Sequence, residues 1–172
     1  MKRQRRPIIG VMGAGDHATE TAMRHAYTLG TLIAQKGWIL LNGGRNAGVM
    51  EASAHGAKEA GGLIVGILPD ADRHRASEYL DIPIVTGLGS GRNTINVLSS
   101  DVIIACQGGA GTLSEIALAV KAGKPVILLD FEDASLFRGE AGDRLMKVKT
   151  PEEAVELVTT ILTHQQESQS LT

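Results

Sequence analysis

The residues best suited to chemistry lie between Val102 and Glu115, VIIACQGGAGTLSE. An apolar run, Val102 to Cys106, enters a turn in which Gly108, Gly109 and Gly111 fall within four positions and Thr112 follows. Leu113, Ile116, Ala117 and Val120 then recur at helical spacing, which predicts a helix over 112–122. Glycine tolerates positive φ and lets a ligand touch the backbone. The first N–H groups of a helix have no internal partner, and the macrodipole makes that end positive. A strand, glycine turn and helix in this order form an anion site, most often for phosphate. The stretch therefore points to a small phosphorylated ligand without naming it.

Gly91-Arg92-Asn93 opens another predicted helix after a turn containing Gly87 and Gly89. An arginine at a helix start faces a positive end, a conflict that an anionic ligand resolves. The alternatives are an arginine in solvent or one paired with a carboxylate. Glu115, one turn into its helix, either points back at the same cleft or complements the helix dipole. Gly13 and Gly15 fit G-x-G-x-x-A after a strand, the dinucleotide fingerprint. Asn42 and Gly43 stand where the supporting acid belongs. The motif then reads as a tight turn or a generic phosphate turn. Gly43, Gly44 and Arg45 make a third glycine-rich strand end.

Other chemistries find little support. No glycine run is followed by Gly-Lys-Ser/Thr, so there is no P-loop. His17, His25, His55, His74 and His164 are scattered, and metal-ligand spacing is absent. Cys106, the only cysteine, sits in an apolar strand and reads as a small buried hydrophobe. Thr112 and Ser114 lack a nearby base and read as helix caps. The loop around Arg73-His74-Arg75 either covers the cleft or is solvated.

These groups need a scaffold of alternating strands and helices. Apolar runs at 8–12, 38–41, 63–68, 82–85, 102–106 and 125–129 alternate with helical patterns at 19–36, 48–60, 93–99 and 112–122. Residues 132–143 read as a loop or short helix and 145–148 as a last edge strand. Thr150-Pro151-Glu152-Glu153 starts a helix that ends near His164. The pattern is that of an α/β, Rossmann-like parallel sheet with helices on both faces. A single domain is expected over 7–164, with a basic, mobile arm at 1–6 and a disordered tail at 165–172. Ligands of such sheets sit at the carboxyl ends of the strands, where the three glycine-rich turns can converge.

Composition narrows the class further. The chain has 172 residues, 43% hydrophobic, with a formal net charge of −2, which excludes disorder and a charged nucleic-acid binder. Aromatic residues, at 3%, are too few for base-stacking platforms. One cysteine implies a reducing compartment, and the absence of an 18-residue apolar run implies no membrane span. A cytoplasmic location is expected.

Gly43-Gly44-Arg45-Asn46-Ala47-Gly48-Val49-Met50, then Ala60-Gly61-Gly62 and Val65-Gly66-Ile67-Leu68-Pro69, resemble the course of the Lonely Guy (LOG) superfamily. Gln107 to Glu115 resembles its PGGxGTxxE motif. That superfamily includes cytokinin-activating nucleoside 5′-monophosphate phosphoribohydrolases. Those carry Pro where this chain has Gln107 and Arg-Lys where it has Arg92-Asn93. The sequence is more similar to another branch, the molybdenum cofactor carrier proteins. That resemblance implies a carrier or storage protein for molybdopterin-type cofactor with no catalytic residues, and a homo-oligomer, dimer or tetramer. It also implies molybdoenzymes or cofactor-synthesis proteins as partners. It implies binding by Gly13, Gly15, Gly43, Gly44, Arg45, Arg92, Asn93, Gly108, Gly109, Gly111, Thr112 and Glu115, with no metal ligands. In the hydrolase alternative Arg92 and Glu115 act on an N-glycosidic bond.

Overall fold

The computed structural model describes residues 5–131 and 144–170. Strands β1 (Ile8–Met12), β2 (Ile39–Asn42), β3 (Leu63–Leu68), β4 (Ile82–Val85), β5 (Val102–Ala105), β6 (Val126–Leu129) and β7 (Leu145–Val148) form one sheet. Their order is β4-β3-β2-β1-β5-β6-β7, and every pairing is parallel. The helices are α1 (Glu20–Gln35), α2 (Gly48–Glu59), α3 (Arg92–Ser99), α4 (Ala110–Lys121) and α5 (Pro151–Ser170). This is the Rossmann-like α/β architecture expected from the alternating pattern.

The two-residue period of the strands divides the core. Ile9 and Val11 of β1, with Val102 and Ile104 of β5, pack against Leu29 of α1, Ala54 of α2 and Val158 of α5. Met12, Ile103 and Ala105 point to the other face and meet Val97 of α3 and Ile116 of α4. On the first face α1 and α2 cross closely. A Cβ on Gly30 would lie 2.0 Å from the Ser53 carbonyl oxygen, and one on Gly56 would lie 2.1 Å from that of Tyr27. Both helices carry a glycine where the other's backbone arrives.

Several boundaries differ from the sequence pattern. Helix α4 starts at Ala110, so Gly111 lies inside its first turn. Helix α5 continues to Ser170, past His164, where a disordered tail was expected; residues 171–172 lie outside the described residues. Its start carries the expected capping box: Glu153 N–H donates to Thr150 Oγ1 at 3.2 Å, and Glu153 Oε2 accepts from Thr150 N–H at 3.3 Å. The basic arm is partly anchored. Arg5 forks onto Asp101 at 2.8 and 2.5 Å, and Arg6 Nε donates to the Gly37 carbonyl at 2.7 Å. The 132–143 stretch lies outside the described residues.

Candidate functional site

Strand order reverses between β1 and β5, the position at which such sheets open a crevice. A cavity of about 340 Å³ occupies it. Its lining brings together Gly13, Gly15, Gly43, Arg45, Arg92, Asn93, Gly109, Gly111, Thr112 and Glu115 from four separate segments of the chain. Gly108 lines an adjoining cavity. Gly44 lines neither: it turns the backbone at φ 77°, and its N–H is held by Asn42 Oδ1 at 2.8 Å. Asn42, buried, also donates to the Met50 carbonyl at 2.9 Å and to Ser53 Oγ at 3.0 Å, so it fixes the loop from β2 to α2.

The floor of the cavity is the start of α4. Gly109 is its N-cap with no side-chain bond, and the first intrahelical bond recorded is Leu113 N–H to the Gly109 carbonyl. The N–H groups at 110–112 precede that bond and are available to an anion. Gly108 is glycine because a Cβ there would lie 2.1 Å from Thr112 Oγ1 and 2.9 Å from the Ala14 nitrogen. The hydroxyl of the buried Thr112 is thus held beside the turn.

The wall opposite is α3. Arg92 Nη1 donates to the Ile67 carbonyl at 2.7 Å. The guanidinium lies against Gly43, where a Cβ would come within 2.2 Å of Nη1 and 2.8 Å of Nη2. Its Nε is buried without a partner. Burial pulls the Arg92 pKa down, opposed by the charge of Glu115. Arg45 also reaches the cavity but is engaged: Nε and Nη2 fork onto Asp70 at 2.9 and 2.5 Å. That bond raises the Arg45 pKa and holds the Asp70 carboxyl below its ordinary value. Arg92 is therefore the cation left to meet an anion. Asn93 bridges α3 to α4 by donating to Ser114 Oγ at 2.8 Å. Ser114 in turn donates to the Gly111 carbonyl at 2.7 Å, one turn back within α4, so it does not cap the helix as expected.

Glu115 is 7% exposed and points into the cleft rather than to solvent. Asn96 Nδ2 donates to its Oε1 at 2.8 Å. Burial outweighs this bond and the Arg92 charge, and pushes the carboxyl pKa up to about 6. The sequence pattern did not single out Asn96. Its signal was present, since Arg92, Asn93 and Asn96 share one face of a short helix by their i, i+1, i+4 spacing. The loop residues Asp16 and His17, with Met12 and Met50, also line the cavity.

The raised Glu115 pKa makes a stability prediction. Between the ordinary value of 4.5 and about 6 the folded state holds a proton that the unfolded state has lost. The stability this gives is complete below pH 4.5 and lost as pH rises through 6. The rise corresponds to about 2 kcal/mol at about 1.4 kcal/mol per pH unit. Glu115→Gln keeps an acceptor for Asn96 and removes the charge. Denaturant titrations should show the variant gaining about 2 kcal/mol on the wild type between pH 4 and pH 7. A constant difference across that range would mean the carboxyl is solvated.

Cys106 is buried, and burial alone pushes its thiol pKa up to about 12, so it is no nucleophile. Among the described residues no group of three or more His, Cys, Asp or Glu is placed to hold a metal ion, and no helix is long and apolar enough to cross a membrane. In the Arg73–Arg75 loop, Arg75 Nη2 lies 3.4 Å from Asp16 at the cavity rim, while Arg73 and His74 are exposed.

The chain is 54% identical to the molybdenum cofactor binding protein of Rippkaea orientalis, with a TM-score of 0.90 over 93% of this chain and 99% of that one. It is 44% identical to the molybdenum cofactor carrier protein of Chlamydomonas reinhardtii, with a TM-score of 0.87 over 92% and 99%. A cytokinin riboside 5′-monophosphate phosphoribohydrolase of Mycobacterium tuberculosis is 35% identical, and there the match spans 61% of this chain and 60% of the relative. The SLOG cluster4 family model matches residues 6–155, and the chain belongs to that family.

Proposed function

We propose that this protein binds molybdenum cofactor as a carrier or storage protein. The cofactor's terminal phosphate sits at the start of α4, against the N–H groups at 110–112 and Thr112, with Arg92 as countercharge. The observation that carries this reading is Arg92, the arginine of the cavity lining that, among the described residues, makes no ion pair with a carboxylate, set across from a glycine helix start without a side-chain cap in a cavity of about 340 Å³. Likeness to two cofactor-binding proteins along nearly the whole chain supports the cargo. Binding, not turnover, is the role of Glu115 in this reading. Its carboxyl is tied to Asn96 and balances the buried guanidinium. A carrier needs no group that favours a transition state over its ground state.

Anaerobic titration with the isolated cofactor, with AMP run in parallel, tests the proposal. Saturable binding that prolongs the lifetime of the cofactor, with no release of ribose 5-phosphate from AMP, is expected. Release of ribose 5-phosphate at enzyme-like rates would assign Arg92 and Glu115 to an N-glycosidic hydrolase instead.

A homo-oligomer belongs to the same reading. Ile82, Ile84 and Val85 on β4, Leu88 after it (57% exposed) and Leu98 on α3 (59% exposed) place large apolar side chains on one end of the sheet and the helix beside it. Light scattering should return a dimer or tetramer mass, with cofactor-synthesis proteins or molybdoenzymes as the exchange partners.

A further inference from the structure

The crevice has a second chamber. A cavity of about 400 Å³ lies beyond the turn at Gly109 and shares Ala14, His17 and Gly109 with the first. Its other wall carries Thr19, Gln107 and Phe131. The two chambers meet at the start of α4, where the Ala14 N–H donates to the Gln107 carbonyl at 3.2 Å and draws the β1 and β5 loops together. Among the described lining residues none bears a carboxylate, an ammonium or a guanidinium. Phe131 offers an apolar ring face, and the Gln107 amide offers a donor and an acceptor side by side. Such a lining suits a neutral planar heteroaromatic ring with a hydrogen-bonding edge, not a second anion.

We infer that the second chamber is a nucleobase subsite, so that the full crevice takes a pyrophosphate-linked dinucleotide, its pyrophosphate crossing the turn at Gly109. For this protein the corresponding cargo is the cofactor extended at its phosphate by a nucleotide. The inference rests on the reading of the α4 start as the phosphate site. It also gives a place to the G-x-G-x-x-A motif. Gly13 and Gly15 do not themselves make room for the ligand, since a Cβ on Gly13 would lie 2.7 Å from Val49, and Gly15 packs on Met50. They let the β1–α1 loop settle on α2, which brings Ala14 and His17 to the boundary between the chambers.

Calorimetric titration with AMP and with diadenosine 5′,5′-pyrophosphate tests the subsite. The wild type should bind the dinucleotide at least tenfold more tightly than AMP. Phe131→Ala should abolish that advantage, by roughly tenfold for a lost base stack, and leave AMP affinity within twofold. Phe131→Leu keeps an apolar side chain under the sheet end and should lose the same advantage, which separates stacking from packing. Equal wild-type affinities, or a parallel loss of both ligands in the Phe131 variants, would overturn the inference while leaving cofactor binding intact. If Arg92→Ala leaves both affinities unchanged, the phosphate site itself is wrong, and both readings fall together.

Discussion

Truncation of Arg92 to alanine is expected to weaken binding of AMP and of isolated molybdenum cofactor by about 1.5–3 kcal/mol, or roughly 10- to 150-fold. The size follows from what surrounds the guanidinium. Both Nη atoms lie against Gly43, one held by the Ile67 carbonyl, with Nε buried and unpartnered. The side chain is fixed before a ligand arrives, so little ordering cost is left to bind an anion. Arg45 cannot take over, because Asp70 holds it by two bonds. Arg92→Lys keeps the charge but not the planar fork, and should fall between alanine and the wild type. Isothermal titration at fixed ionic strength reads all three. Unchanged affinity in the alanine variant would make Arg92 a structural residue, serving only the Ile67 carbonyl.

The largest expected effect on stability lies where α1 crosses α2. Gly30→Ala would place a methyl 2.0 Å from the Ser53 carbonyl oxygen and 2.8 Å from the Ala57 nitrogen. Both neighbours are helix backbone and cannot rotate aside. The helices must separate, opening the packing of Ala26, Leu29 and Ala54 against the sheet. Alanine's better helix propensity returns at most about 1 kcal/mol. Overpacking of this kind costs about 1–3 kcal/mol, and separation of the helices adds a cavity term. A net loss of about 3 kcal/mol is expected by urea titration, a large part of an ordinary domain's stability. Gly61→Ala is the contrast: nothing lies within 4 Å of its Cβ position, and only its φ of 73° resists the change, so its loss should be clearly smaller. Equal losses at the two sites would mean that α1 and α2 slide apart freely.

The strands were legible because each is a short apolar run closed by glycine, proline or a polar residue; Leu63–Leu68 and Ile82–Val85 match residue for residue. Convergence of Gly13, Gly43 and Gly109 was legible because parallel strands bring their carboxyl ends to one edge. Arg92 stood out because a cation at a helix start demands an explanation. The rest depends on distances the sequence does not carry. Nothing in it says that Asp70 will reach back to Arg45, so the two arginines look alike until the fold separates a paired cation from an unpaired one. Gly44 looks like Gly43, yet one turns the chain while the other makes room for a guanidinium. Nothing in the sequence marks Gly30 and Gly56, although the backbone of the other helix closes on each of them. Helix α5 outruns its apolar pattern because nothing polar in its last turns stops a helix, and no glycine or proline intervenes before Ser170.

The central position of β1 has a kinetic consequence. Its partners are β2, close in sequence, and β5, where Ile9 aligns with Val102, 93 positions later. On the ribosome, β1, β2 and β3 can associate with α1 and α2 early, but β1 must wait with one edge open until β5 emerges. Closing that long loop is expected to be the slow event, since non-local pairing slows folding. The crevice lies on that same seam, so it comes into existence only when β1 and β5 pair. Acquisition of a phosphorylated ligand during refolding should therefore trail the recovery of helical signal and coincide with the final phase. A chain that folds in this order has no crevice to offer a ligand until β1 and β5 have paired.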